Sequence, residues 1–290
     1  MVISALPWAS YPNPTTRLSD SSSILKSLNP KILAMFLSID AGNSNIVFGF
    51  FDPSPGEWRH EFRVETGPHL SAYELGQKLG LFFLENNLIP ADVSRIGISS
   101  VVPELNGVLE DCCVMFFGIR PYLINGKSYE NLKVSTHRPN EIGSDLMANV
   151  TAAYELYGES CIVVDFGTAL TFSVVDDEGF VVGVNIVPGL KTAIKALFIN
   201  TSKLPEVKLE LPESAIGKNT VHAIQAGVLY GYTGLVKGML ATIKAELGRD
   251  CKVIATGGLS QILTPLEGTF DQVDRNLTVN GIKLITQANL

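Results

Sequence analysis

The sequence predicts a mixed α/β protein built from two similar domains. The stretch Leu37–Phe51 reads as strand, tight turn, strand. The stretch Cys161–Asp176 repeats its grammar: apolar run, Asp, any residue, Gly, small polar residue, apolar run, Asp. A repeat this widely spaced marks duplicated domains, not a short solenoid period. Around both copies strands alternate with helical patterns, as in a sheet that carries helices.

Residues 1–34 are rich in Ser, Pro and Asn and show no period. They carry no charge before Trp8 and no unbroken apolar run, so they do not read as a signal peptide. Met35 stands directly before the first strand. The expectation is a disordered leader, or a misassigned start with the native one at Met35. An N-terminal α/β domain then covers 35–139 and a C-terminal one covers 140–290.

In the first domain, Glu57–Val64 reads as a third strand. Ser71–Asn87 reads as a helix, with Ser71 and Glu74 spaced as a capping box. A short strand at Arg95–Ser99 precedes a helix opened by Val101-Val-Pro-Glu, and Pro121–Ile124 is a further strand. In the second domain, Asn140–Tyr157 has helical spacing through Ile142, Leu146 and Val150. Phe180–Val187 is the strand after the repeated hairpin. Leu190–Asn200 is a helix, and Gly217 opens a long one that runs to Leu247. Val253–Leu263 reads as strand, Gly257-Gly258 turn, helix. The chain closes with a short strand at Gln272 and a helix from Asn280.

The bulk composition excludes several functions. The chain has 290 residues, 46% of them apolar and 18% charged, enough for two packed cores. A net charge of −7 and the lack of a Lys/Arg run argue against a nucleic-acid surface. No apolar run reaches membrane-spanning length. Cys112 and Cys113 are adjacent, and Cys161 and Cys251 are isolated, which fits neither a zinc site nor a disulfide framework. They read as buried, reduced thiols of a cytoplasmic protein.

The two turns carry the chemistry. Gly42 admits positive φ, while Asp40, Asn43, Ser44 and Asn45 bond nearby backbone. Backbone N–H and hydroxyl donors in such a nest suit phosphate, and a carboxylate at a strand end suits a hydrated cation. Asp165 and Gly167 repeat Asp40 and Gly42, and Asp52 and Asp176 close the second strands. Two facing turns of this kind are what a nucleotide clamped between twin domains requires. Asp145 falls near the start of a helix with Asn149 one turn on. An Asp in that place is also an ordinary dipole partner. His137 and His222 show no pairing partner in sequence, and Lys191, Lys195 and Lys218 read as solvated.

The order of DAGNSN (Asp40–Asn45), EIGSD (Glu141–Asp145), VDFGTALT (Val164–Thr171), PGL (Pro188–Leu190), IGKNT (Ile216–Thr220) and ATGGL (Ala255–Leu259) closely resembles type III pantothenate kinase, also named after a Bvg accessory factor. The resemblance runs from Met35 to the C-terminus. It implies two ribonuclease-H-like domains of the acetate and sugar kinase/Hsp70/actin type, with a nucleotide cleft between them. It implies ATP-dependent phosphorylation of pantothenate to 4′-phosphopantothenate, the first step of coenzyme A biosynthesis. Asp40, Ala41, Gly42, Asn43, Ser44, Asn45, Ile46, Val47 and Thr168 would bind ATP phosphates, with Gly257 and Gly258 near the adenosine. Gly143, Ser144, Asp145, Leu146 and Thr220 would bind pantothenate, and Asp145 would be the general base. Asp165 would hold a monovalent cation (K⁺ or NH₄⁺), and Mg²⁺ would accompany ATP. A homodimer in the cytoplasm is implied, with no membrane or nucleic-acid partner. Two positions depart from the family: Leu146 stands where it usually has Arg, and Thr136 where it usually has Tyr. Arg138 is the nearby cation that could replace the lost charge. The alternatives are a kinase of this fold for another small hydroxy acid, or a non-catalytic ATP-binding regulatory homologue.

Overall fold

A computed structural model of the protein describes residues 34–258 and 264–290. The leader up to residue 33 and the helix expected after Gly258 lie outside the described residues. The described chain contains two five-stranded sheets with the same topology. In the first, β1 (Met35–Ala41), β2 (Asn45–Asp52) and β3 (Glu57–Glu65) run antiparallel. β4 (Val93–Ser100) and β5 (Tyr122–Leu123) lie parallel on the other side of β1, giving the order β3-β2-β1-β4-β5. In the second, β6 (Cys161–Phe166), β7 (Ala169–Val175) and β8 (Val181–Pro188) repeat the meander. β9 (Lys252–Thr256) and β10 (Gln272–Val273) repeat the parallel pair, giving β10-β9-β6-β7-β8. The repeated sequence grammar is therefore a repeated fold.

Pleat alternation explains the burial of β1. Leu37, Ile39 and Ala41 face one way, opposite Phe50, Phe48 and Ile46. They form a core with Leu75 and Leu79 of α1 (Ala72–Glu85) and Leu109 of α2 (Asn106–Phe117). Each Leu, Ile and Phe side chain here, fully withdrawn from water, contributes roughly 1.5–3 kcal/mol. Ser71 and Glu74 cap α1 reciprocally, as their spacing predicts. α2 starts later than expected: Pro103–Leu105 form a single 3₁₀ turn before it.

Ser38 and Asp40 face the other way. There the C-terminal helix α6 (Leu277–Ala288) crosses β1, and the Ser38 hydroxyl donates to the Val279 carbonyl at 2.8 Å. Trp58 Nε1 donates to Asn280 Oδ1 at 2.7 Å, and Lys283 lies 3.4 Å over the Phe51 ring. α6 starts three residues earlier than expected because Leu277 is buried in the core and Asp274 accepts the Asn276 N–H.

α6 pairs with α3 (Ser144–Tyr157), and this pair is the central layer. α6 packs on β1 and β4, and α3 packs on β6 and β7. α3 begins at Ser144, not at Asn140, because Gly143 is extended (ψ 140°) and the preceding residues turn back onto Arg138. Beyond the second sheet, Ile162, Val164 and Phe172 pack against α4 (Leu190–Ile199) and α5 (Thr220–Leu247). The α3–α6 crossing is tight: a Cβ on Gly281 would overlap the Ala148 carbonyl. Gly281→Ala is therefore expected to lose about 2–4 kcal/mol by pushing the helices apart, read as a lower Tm. An unchanged Tm would contradict this packing.

Asp52 and Asp176 have structural work. Asp52 accepts the Ser54 N–H, and Asp176 accepts those of Glu178 and Phe180, so each closes the turn into the third strand of its sheet. All four cysteines are buried and unpaired. His222, expected to stand alone, bonds the Ser214 carbonyl through Nε2, and His137 packs against the Phe180 ring at a tilt of 57°.

Candidate active site

The two Asp-x-Gly turns meet. Asp40 is the penultimate residue of β1, opposite Val47, and Asp165 that of β6, opposite Thr171. The turns close alike: Gly42 N–H donates to the Asn45 carbonyl at 3.0 Å, and Gly167 N–H to the Ala169 carbonyl at 3.0 Å. The second turn is one residue shorter. Between them the Ser44 and Thr168 hydroxyls share a hydrogen bond of 2.7 Å.

Each turn is braced from outside. Thr66, just past β3, donates its hydroxyl to the Gly42 carbonyl at 2.6 Å and its N–H to the Ser44 carbonyl at 3.0 Å. On the other side Gly189 N–H and the Thr192 hydroxyl both donate to the Thr168 carbonyl. Gly189 lies so close to Gly167 and Thr168 that a side chain there would strike their carbonyls, which explains the Gly of the PGL motif. Gly257 has φ +91°, and a Cβ there would come within 2.6 Å of Asp165 Oδ1. It therefore lies directly against the second turn.

Asp145 enters from α3. Its carboxylate folds back over the helix N-terminus, accepts the Leu146 N–H at 2.8 Å, and occupies the space that a side chain on Gly143 would fill. The dipole-partner reading is thus true of its geometry, and it does not exclude a second role. Ser144, one residue before, bonds the Ser99 hydroxyl at 2.8 Å and so fixes α3 to β4. Asn149 donates to Asp165 Oδ2 at 3.0 Å while accepting from the Thr278 hydroxyl, which orients the Asp165 carboxylate.

Asp40, Asp145 and Asp165 share one electrostatic environment. Burial pushes the Asp40 carboxyl up to about 8, with the charges of Asp145 and Asp165 adding to it; Arg63 pulls the other way. Burial, then Asp145, pushes Asp165 up to about 6, against the Asn149 hydrogen bond. Burial also raises Asp145, and the backbone N–H groups it accepts hold it down. The floor between the turns thus carries an excess of negative charge that a cation would relieve.

Other expected residues lie elsewhere. Thr220 opens α5 and lines a cavity of about 570 Å³ with Leu197, Leu204 and Lys218. Leu146 is 9% exposed, and Thr136 is half-buried in the segment before α3. Arg138 is exposed and pairs with Glu141 at 2.9 Å. Lys191, Lys195 and Lys218 are exposed. The sequence reading missed Arg63, Thr66, Ser99 and Thr278. Strand register and helix packing bring them to the site, and no local pattern announces them. Among the described residues no three His, Cys, Asp or Glu side chains form a ready metal centre.

Comparison with known proteins agrees with this architecture. The chain resembles a Baf family protein of Campylobacter jejuni, described as a transcriptional activator. The TM-score is 0.53 at 23% identity, covering 87% of this chain and 98% of that one. The activator of 2-hydroxyisocaproyl-CoA dehydratase from Clostridium difficile, solved with ADPNP, shares the fold at a TM-score of 0.50 and 10% identity. That match covers 88% of this chain and 96% of that one. In sequence, the chain is 41% identical to the type III pantothenate kinase of Citrifermentans bemidjiense, over 88% of this chain and all of that protein. It is 39% identical to that of Myxococcus xanthus, over 88% of this chain and 99% of that protein. The family model for type III pantothenate kinase matches residues 36–242. With its duplicated sheets, its paired turns and this match over most of its length, the chain belongs to the type III pantothenate kinase family.

Proposed function

We propose that the chain transfers the terminal phosphoryl group of ATP to the primary hydroxyl of pantothenate, giving 4′-phosphopantothenate at the start of coenzyme A biosynthesis. The observation that carries this reading is the gathering of Asp145 with both Asp-x-Gly turns around one acidic floor. Residues Asp40–Val47 and Thr168 present backbone N–H and hydroxyl donors to the ATP phosphates, and Gly257 and Gly258 lie beside the nucleoside. Gly143–Leu146 hold the acceptor, and Thr220, on the separate cavity at the start of α5, takes no part in this reading of one chain. Phosphoryl transfer asks a protein chiefly for positioning and neutralisation of charge.

Asp145 accepts the hydroxyl proton as the oxygen attacks phosphorus. A carboxylate raised above its ordinary value takes that proton more readily near neutral pH. Asn149 keeps Asp165 aimed, and Ser99 keeps the start of α3 in place. K⁺ or NH₄⁺ on Asp165, and Mg²⁺ on the phosphates, supply positive charge when bound. The fit is good for a singly charged ion at Asp165: one oriented carboxylate, raised by burial and by a like charge, gains from a cation beside it. The homodimer that the family resemblance implies is part of this reading. A cytoplasmic location is part of this reading, as the family resemblance implies.

Leu146 and the surface pairing of Arg138 favour a second reading, a kinase for a different small hydroxy acid, because neither can offer a carboxylate the bidentate grip of an inward Arg. Mass analysis of products formed from ATP and a mixture of pantothenate with other small hydroxy acids separates the two. Phosphopantothenate is the expected main product. Another phosphorylated acid in its place would overturn the choice of acceptor.

A further inference from the structure

Sheet register exposes a residue that no motif announces. Ser99 of β4 lies opposite Asp40 of β1, Asp40 opposite Val47 of β2, and Val47 opposite Arg63 of β3. Residues opposite one another across a sheet point to the same face. Ser99, Asp40, Val47 and Arg63 therefore form one row across the sheet. At the Ser99 end the row is tied to Ser144, the neighbour of Asp145. At the other end stands the guanidinium of Arg63. Strands lie about 4.8 Å apart, so Arg63 starts roughly 10 Å from Asp40, a gap that a long side chain and a phosphate group fill together.

Arg63 shares a rigid support with the first turn. Thr66, three residues on, bonds the carbonyls of Gly42 and Ser44. Val47, between Arg63 and Asp40, is apolar and offers the guanidinium no competing partner. Among the described residues, the one ion pair of Arg63 is with Glu61, through a single nitrogen at 3.2 Å, both side chains being about half exposed. Such a pair holds little free energy and exchanges readily. Arg63 is also the one cation that acts against the raised Asp40. A polyphosphate brought to this floor would add negative charge beside three buried carboxyl groups, and a planar guanidinium matches phosphate oxygens two at a time.

We propose that Arg63 is a further catalytic residue of this site: it leaves Glu61 and binds the phosphate chain of the nucleotide, offsetting the charge that moves during transfer. The role rests on the kinase reading above. The ordinary alternative is a surface Arg–Glu pair that merely steadies β3.

Arg63→Ala, Arg63→Lys and Glu61→Gln separate the two. Calorimetric affinity for ATP, ADP and adenosine, together with turnover, is the measurement. Arg63→Ala is expected to weaken ATP and ADP binding and to lower kcat, each by roughly 10- to 100-fold, with adenosine affinity unchanged. Arg63→Lys restores part of the loss. Glu61→Gln, which frees the guanidinium, retains full turnover and ATP affinity. ATP affinity and kcat of Arg63→Ala within twofold of wild type would overturn the role, and so would a Glu61→Gln variant that reproduces the loss. The binding arm reads Arg63 whichever acceptor is used, so wild-type protein that binds ATP without phosphorylating pantothenate would count against the acceptor alone.

Discussion

Asp145→Asn removes phosphoryl transfer and leaves ATP bound. The expected fall in kcat is about a thousandfold, since a positioned base contributes roughly 10²–10⁴. The change is nearly isosteric, and the amide oxygen still accepts the Leu146 N–H, so the start of α3 is preserved. It also removes one of the charges that raise Asp40 and Asp165. The variant is therefore expected to melt no lower than wild type while its turnover is lost. Calorimetry for ATP, a melting curve and a turnover assay on one preparation check all three. A variant that keeps more than a tenth of wild-type kcat would remove Asp145 from the role of base.

Asp40→Asn is expected to stabilise the cation-free protein and disable it. Asp40 is raised in the folded chain from an ordinary carboxyl to about 8, and Asp165 to about 6. Between about pH 4 and pH 8 the unfolded chain has released protons that the folded chain retains. Stability is then greatest below the unfolded value and falls as pH rises through the folded ones. The wild-type Tm, measured without added cation, should decline across that window, and added K⁺ or Mg²⁺ should recover part of it by binding the folded floor. Asn at position 40 deletes the larger share of this proton linkage. Its Tm at pH 8 should rise by several degrees, on the scale of about 2–4 °C per kcal/mol for a chain of this size. The profile should flatten, with turnover at least a hundredfold lower. A wild-type Tm that rises steadily from pH 4 to pH 8 would contradict the electrostatics of the site.

Much of the fold was legible because the chain states it twice. The Asp-x-Gly hairpin fixes a turn by local chemistry, and the same signal at Asp40 and Asp165 announced the duplicated sheets. The capping box at Ser71 and Glu74 is equally local, and both of its hydrogen bonds form. Long-range facts were not legible. No pattern around Gly281 shows that a helix passes against Ala148, and none around Thr278 shows that it orients Asn149. Arg63 reads as one more charge on an alternating strand until register sets it in a row with Asp40. Boundaries slipped where an extended glycine, Gly143, stopped a helix that side-chain periodicity would have carried back to Asn140. Asp52 and Asp176 were legible as the residues that close the second strands, and they do so by accepting backbone N–H groups of the turns that follow.

The acidic floor between the two turns is proposed to move phosphate from ATP to pantothenate with Leu146 at the position where the resemblance leads one to expect Arg. The most direct measurement is the initial rate of ADP formation with and without pantothenate, in potassium and in sodium buffer. ADP formation that requires pantothenate and rises sharply with potassium is the predicted result. A rate that pantothenate does not change, from protein that still binds ATP, would contradict the claim and return the acceptor to the question posed by Leu146 and Thr136.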